Sequence, residues 1–186
     1  AIVGLAIQGP TQRRAAFRWA LIIATSLMLV AASKIAFYGW GTGIRRWNLT
    51  CFSGHTVSAW LAWPAVLMLM APARLRALRI ALLVTGIVIA ACVGWSRVPL
   101  GAHPVSEVIA GTLLGAAAAG WIIRALWNHA FDKRGVALLV MLLLALAGLT
   151  QAGLKRPHTE RWFQKIGTSL SGTDQAVDRL RWRKDP

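Results

Sequence analysis

Polar side chains that suit one type of chemistry recur at a few positions in an otherwise apolar sequence. Two imidazoles, two hydroxyls, two cations and one carboxylate match the needs of phosphate ester cleavage. The cations hold the phosphate oxygens, one imidazole attacks phosphorus, and the other protonates the leaving alkoxide, while the carboxylate orients the attacking imidazole. These residues are Lys34, Ser53, His55, Ser96, Arg97, His103 and Glu107.

The spacing within these groups strengthens the interpretation. His103 and Glu107 are four residues apart, so a helix that starts near Pro104 lets the carboxylate accept a hydrogen bond from the imidazole. Gly54, between Ser53 and His55, allows close approach of a phosphate to backbone N–H groups at the start of a helix. A phosphoryl site is therefore predicted where these two segments meet.

Long apolar runs must position these residues. The chain is 56% apolar and only 15% charged, and its apolar runs leave no polar face for water. We therefore predict an all-α, polytopic transmembrane bundle of about five to six helices. The candidate spans are Phe17 to Ala32, Val57 to Met70, Leu78 to Trp95, Val105 to Leu126 and Val136 to Ala152.

The positive charges predict how the bundle is oriented. The formal net charge is +15, but the basic residues lie between the apolar runs and in the tail, which argues against nucleic-acid binding. Arginines and lysines before the first span and in alternate loops place those loops in the cytoplasm. The loops from Lys34 to His55 and from Ser96 to His103 then share the opposite face, so the active site is predicted to face the periplasm or outside.

Two regions are predicted. Residues 1–153 form the transmembrane phosphatase domain, and residues 154–186 form a basic tail. Trp162, Phe163, Ile166 and Leu170 have roughly helical spacing, so the tail is either an amphipathic helix on an anionic leaflet or a solvated segment. Two cysteines and four histidines without metal-ligand spacing predict no metal site.

The motifs resemble those of the type-2 phosphatidic acid phosphatase superfamily, an all-helical group that includes bacterial lipid phosphatases, soluble acid phosphatases and vanadium haloperoxidases. Ser53-Gly54-His55 and the run from Ser96-Arg97 to His103 and Glu107 carry the likeness. The resemblance implies that His103 is the nucleophile that forms a phosphohistidine and that His55 is the general acid. It implies phosphate binding by Arg97, Ser53 and Gly54, matches Lys34 to the lysine of the first motif, and implies no metal or organic cofactor.

The motifs depart from the family pattern in three places. Glu107 stands where the family usually has Asp, and Phe52 stands where it usually has Pro. The first motif also lacks its Arg-Pro, since Gly41 and Thr42 follow Lys34 at that distance. We expect another arginine to replace the missing charge, because loss of a cation against a phosphoryl group costs on the order of 10²-fold in rate. The candidates are Arg45, Arg46 and Arg156.

The predicted function is hydrolysis of a membrane lipid phosphate or diphosphate in the bacterial cytoplasmic (inner) membrane. Carrier-lipid diphosphate, phosphatidylglycerophosphate, phosphatidic acid and a lipid A phosphate are all compatible substrates. The alternatives are phosphoryl transfer to another lipid, a catalytically weakened protein that binds lipid phosphates, and a small transporter. The polar groups gather at one end of the spans, which argues against a transport path. The oligomeric state stays open.

Overall fold

The protein is described here by a computed structural model covering residues 1–132 and 159–184. Within these ranges its regular secondary structure consists of helices, joined by turns and loops, and an isolated antiparallel bridge between Ile44 and Leu49. The helices are α1 (Ile2–Ala6), α2 (Pro10–Trp40), a 3₁₀ turn (Arg45–Trp47), α3 (Gly54–Met70), α4 (Arg76–Trp95), α5 (Val105–Leu126), α6 (Thr159–Ser171) and α7 (Arg179–Lys184).

The predicted membrane bundle is confirmed in its main features. Among the described residues, α2, α4 and α5 are long and apolar enough to cross a membrane, and α3 is a shorter apolar helix. The fourth predicted span coincides with α5, and the second is indeed short at 17 residues. The fifth predicted span, Val136 to Ala152, lies outside the described residues.

The first predicted span was too short at both ends. Helix α2 has 31 residues and continues to Trp40, so Lys34 lies on its last turns and not in a loop. The prediction was wrong because Ser33 and Lys34 interrupt the apolar run. Ser33 is accommodated in the helix because its hydroxyl donates to the Val30 carbonyl at 2.7 Å. Gly41, with a left-handed φ of 65°, then ends the helix.

Helix α3 lies at the centre and packs against both α4 and α5. Glycines on the outer helices permit this packing. A Cβ on Gly86 of α4 would lie 2.6 Å from Cα of Pro64, and one on Gly115 of α5 would lie 2.7 Å from Cβ of Trp60. Close backbone approach of this kind is the usual way in which helices associate in lipid. It holds the start of α3, with His55, beside the start of α5.

The C-terminal segment (residues 159–184) packs on the last turns of α2. Helix α6 crosses α2 where a Cβ on Gly39 would lie 2.7 Å from the Gly167 carbonyl oxygen. In α7, the buried Trp182 donates its indole N–H to the Gly41 carbonyl at 2.6 Å, and its ring meets Phe37 edge-on. The described part of the basic tail predicted from the sequence therefore forms two helices joined by a loop and lies against the polar end of the bundle.

Candidate functional site

The two segments with candidate catalytic residues meet at the end of the bundle where α3 and α5 begin. The loop before α5 is closed by backbone bonds, because the Arg97 carbonyl accepts from the N–H groups of Ala102 and His103 at 3.0 and 3.3 Å. Pro104 then starts the helix and places Glu107 in its first turn. His103 lies just before the helix, and its Nδ1 is 2.6 Å from Oε2 of Glu107, as the spacing predicted.

The Glu107 carboxylate is fully buried and surrounded by donors. Its Oε1 accepts from the backbone N–H groups of Thr50 and Cys51 at 3.2 and 3.3 Å, and from the Thr50 hydroxyl. Arg179 of α7 completes this set with Nη2 at 2.8 Å from the same oxygen. Because one oxygen is held by these donors, the other is fixed in its direction toward His103.

A cavity of about 890 Å³ opens beside this pair. One part of its wall is polar and contains the two predicted catalytic histidines with Gly54 and Lys34. Another part is apolar and follows α2, α3 and α4 away from the polar end. It is formed by Leu27, Val30, Ala31, Ala59, Trp63 and Val93. The cavity thus has a polar end with titratable side chains and an apolar wall.

Lys34, 7% exposed, is paired with a carboxylate of the C-terminal segment. Its ammonium group contacts Oε1 of Glu160, and Oε2 of the same residue accepts from the Tyr38 hydroxyl at 3.0 Å. Glu160 also lines the cavity, together with Thr159 and Phe163. The Glu160 carboxylate of α6 therefore pairs with the Lys34 ammonium group, which was predicted from the sequence to bind phosphate.

The remaining predicted phosphate ligands have other contacts. Ser53 is fully buried, and its hydroxyl accepts from the Thr56 hydroxyl at 2.9 Å, on the side of α3 that faces its neighbours. Ser96 donates to the Val93 carbonyl at 2.7 Å. Arg97 donates to the Ser96 hydroxyl at 3.0 Å. These three residues border the site at the ends of α3 and α4, whereas Gly54, His55, His103 and Lys34 line the cavity itself.

The predicted substitutes for the missing arginine are found away from the cavity or outside the described residues. Arg45 and Arg46 are exposed on the 3₁₀ turn, and Arg45 lies over the Trp182 ring at 5.6 Å from its centroid. Arg156 lies outside the described residues. Arg179 was not predicted as a site residue, because it is 72 positions away from Glu107 and no spacing rule links a tail residue to the site.

Cys51, His103 and Glu107 come within 4.8 Å of one another and form a possible metal-ligand set. The chemistry of the donors fits a cation poorly. Burial, followed by the charge of Glu107, raises the pKa of the Cys51 thiol to about 11, so the neutral thiol predominates. The Arg179 guanidinium, 2.8 Å from Oε1, already supplies the positive charge beside the carboxylate.

The comparisons with known proteins give a family and an undescribed relative. The family model of the PAP2 superfamily matches residues 39–131, which contain both histidine segments. An "Uncharacterized 22.5 kDa protein in cps region" of Klebsiella pneumoniae is 39% identical over 181 residues, covering 94% of this chain and 84% of that protein. No solved structure matches. The chain therefore belongs to the PAP2 superfamily, as the motifs had suggested.

Proposed function

We propose that the protein is an integral membrane phosphatase that removes a phosphate from a lipid phosphate or diphosphate through a phosphohistidine on His103. The observation that carries the proposal is the His103–Glu107 pair at 2.6 Å, open to a cavity that has both a polar end and an apolar wall. Membership of the PAP2 superfamily supports phosphatase chemistry.

The pair determines which nitrogen attacks. Nδ1 of His103 donates its proton to Oε2 of Glu107, so Nε2 carries the free lone pair. In the proposed step, Nε2 attacks phosphorus and the bond from phosphorus to the lipid oxygen breaks. As Nδ1 becomes part of an imidazolium-like ring, the buried carboxylate stabilises the developing positive charge.

His55 is the proposed general acid and base. It follows Gly54 at the start of α3, and its side chain is exposed within the cavity wall. His55 donates a proton to the leaving oxygen, which belongs to the lipid alkoxide or, for a diphosphate, to the lipid monophosphate. It later takes a proton from the water that attacks phosphorus as the bond from phosphorus to Nε2 of His103 breaks. Inorganic phosphate leaves, and His103 returns to its starting state.

The apolar wall supports a lipid as the substrate. A phosphate at the polar end would place its organic chain along α2 and α3, which have the composition of membrane helices. The carrier-lipid diphosphate, phosphatidylglycerophosphate, phosphatidic acid and lipid A phosphate named above all combine such a headgroup with hydrocarbon. We propose the cytoplasmic membrane as the location, with the cavity facing the periplasm.

The test is phosphate release by the detergent-purified protein from a panel of lipid mono- and diphosphates. We expect release by the wild type and loss of about 10³-fold or more in His103→Ala, because the nucleophile is gone. His129→Ala is the matched control, since His129 lies beyond α5. Trapping with ³²P-labelled lipid should label the wild type with acid-labile phosphate, and absence of label from an active protein would contradict the phosphohistidine.

A second candidate is a protein that binds lipid phosphates with little turnover. The pairing of Lys34 with Glu160 favours it, because the cation assigned to substrate is engaged by the protein itself. Tight binding of a lipid phosphate to folded wild type, with no phosphate released from any member of the panel, would select this candidate. Label transferred to a second lipid would instead select phosphoryl transfer.

A further inference from the structure

Arg179 contacts the catalytic pair although it lies in the C-terminal segment, beyond the residues that match the family model. Its Nη2 atom is 2.8 Å from Oε1 of Glu107 and 2.8 Å from the Thr50 hydroxyl oxygen. Glu107 is fully buried, and an ionised carboxylate at such a position requires compensating charge or donors. Arg179 provides the nearest such cation in the described part of the chain other than His103 itself.

Contacts made by residues before and after Arg179 in the chain hold α7, and with it the guanidinium, in place. The Asp178 carboxylate caps the helix by accepting from the N–H groups of Leu180 and Arg181 at 2.8 and 3.0 Å. Trp182, one turn after Arg179, is anchored to Gly41. The N–H of Val177 donates to the Tyr38 carbonyl at 2.9 Å, which ties the approach to α7 to the end of α2.

We propose that Arg179 is a positioning residue for the nucleophile and that the C-terminal segment is therefore part of the active site. Arg179 acts through Glu107. It fixes Oε1, so that Oε2 faces Nδ1 of His103 and Nε2 is left open to the cavity. The proposal rests on the proposed function, because it assigns a role within the same reaction.

The position of Arg179 also distinguishes its proposed role from that of the phosphate-binding arginine that is missing from the first motif. A phosphate-binding arginine would be expected to line the cavity, and its loss would raise KM as well as lower kcat. Arg179 is bonded to the carboxylate on the side away from Nε2. A residue that acts only through Glu107 affects the orientation of the nucleophile, so its loss should lower kcat and leave KM nearly unchanged.

The test is steady-state lipid phosphate hydrolysis by Arg179→Ala, Arg179→Gln and Arg179→Lys. We expect kcat to fall at least about tenfold in the first two variants, with KM within about twofold of wild type, and to be partly restored in Arg179→Lys. Arg181→Ala, two positions along the same helix and exposed, is the matched control and should behave as wild type. Equal elution volumes on size exclusion exclude misfolding as the cause.

Dependence on Glu107 is the decisive readout. In a Glu107→Gln background, Arg179→Ala should lower kcat by less than about twofold, because the carboxylate through which it acts has been removed. A full tenfold loss in that background, or a wild-type kcat in Arg179→Ala, would overturn the positioning role. If wild type itself releases no phosphate, the proposed function fails and this role fails with it. Thermal unfolding of wild type, Arg179→Ala, Glu107→Gln and the double variant then still reports whether Arg179 and Glu107 form a pair.

Discussion

Glu107 is longer by one methylene than the Asp usual in the family, and the structure gives that length a use. One of its oxygens reaches Nδ1 of His103, while the other accepts from the loop residues Thr50 and Cys51 and from Arg179. A shorter side chain on the same backbone cannot keep both sets of contacts without movement of α5. These contacts therefore depend on the length of the glutamate side chain.

Restoring the family residue should thus impair this protein. We expect Glu107→Asp to lower kcat by about tenfold, and Glu107→Gln, which keeps the length but loses the charge, to lower it by about 10²-fold or more. The measurement is kcat for lipid phosphate hydrolysis. A rate in Glu107→Asp equal to or above wild type would show that the loop and Arg179 contacts do not constrain the carboxylate.

The thiol of Cys51 should ionise only at unusually high pH. With its pKa raised to about 11 by burial and by Glu107, the thiolate fraction rises about tenfold per pH unit throughout pH 7.5–9.5. We expect the rate of alkylation by iodoacetamide, measured by mass spectrometry in a Cys92→Ser background, to rise over this whole range. The same protein unfolded in detergent is the control, and its rate should level off above about pH 9. Levelling at that pH in the folded protein would contradict the raised pKa.

Residue types and local spacing were enough to predict the contact between His103 and Glu107. The His103–Glu107 pair follows from a four-residue separation beside Pro104, and such contacts are decided within one helical turn. Arg179 could not be found in this way. Its approach to Glu107 depends on how the C-terminal segment returns to the bundle, which is decided by packing of Trp182 and Gly167 and not by any local pattern.

At the scale of elements, helix contacts made by glycine hold the C-terminal segment to α2. An added Cβ on Gly39 would meet backbone of α6 at 2.7 Å, and backbone cannot rotate away as a side chain can. On Gly120 of α5 an added Cβ meets nothing within 4 Å. The two glycines therefore respond differently to the same substitution.

We expect Gly39→Ala to loosen α6, because overpacking costs about 1–3 kcal/mol. Tryptic cleavage at Arg161 and Lys165 of the folded protein should become roughly tenfold faster, since cleavage follows the population of the opened segment. Gly120→Ala should leave cleavage unchanged and raise thermal stability slightly through helix propensity. Equal cleavage of Gly39→Ala and wild type would show that this crossing does not hold the segment.

Arg79 joins three helices at the end of the bundle opposite the site. Its side chain is 1% exposed and donates to the carbonyls of Ala71 at 2.9 Å and Trp127 at 2.7 Å. Hydrophobic and charge patterns predicted the order of the spans, but which arginine is buried depends on the carbonyls that the neighbouring helix ends leave available.

Removing this arginine should destabilise the bundle. Arg79→Ala leaves buried carbonyls without donors and opens a cavity, so we expect a loss on the order of 1–3 kcal/mol and a lower thermal midpoint in detergent. Arg76→Ala, three positions earlier and exposed, is the matched control and should unfold as wild type. A similar small effect of both changes would mean that water or detergent replaces the Arg79 contacts.

At the scale of the whole molecule, the bundle alternates direction so that every candidate catalytic group in the described residues gathers at one end. The C-terminal segment covers that end and places Glu160 on Lys34 beside the cavity. A lipid phosphate that used Lys34 would have to displace this carboxylate. The same segment also provides Arg179, so one part of the chain contacts both the Glu107 carboxylate and the Lys34 ammonium group.

Glu160→Gln separates these two effects, because α6 stays attached to α2 through Gly39 and Gly167 while the competing charge is removed. We expect KM for lipid phosphate to fall several-fold with kcat nearly unchanged, since a larger fraction of the protein presents a free ammonium group. Asp174→Asn removes the same charge from an exposed position of the segment and should leave KM as in wild type. A higher KM in Glu160→Gln alone would mean that the Glu160–Lys34 pair holds the site in its binding conformation, and competition with substrate would then be the wrong description.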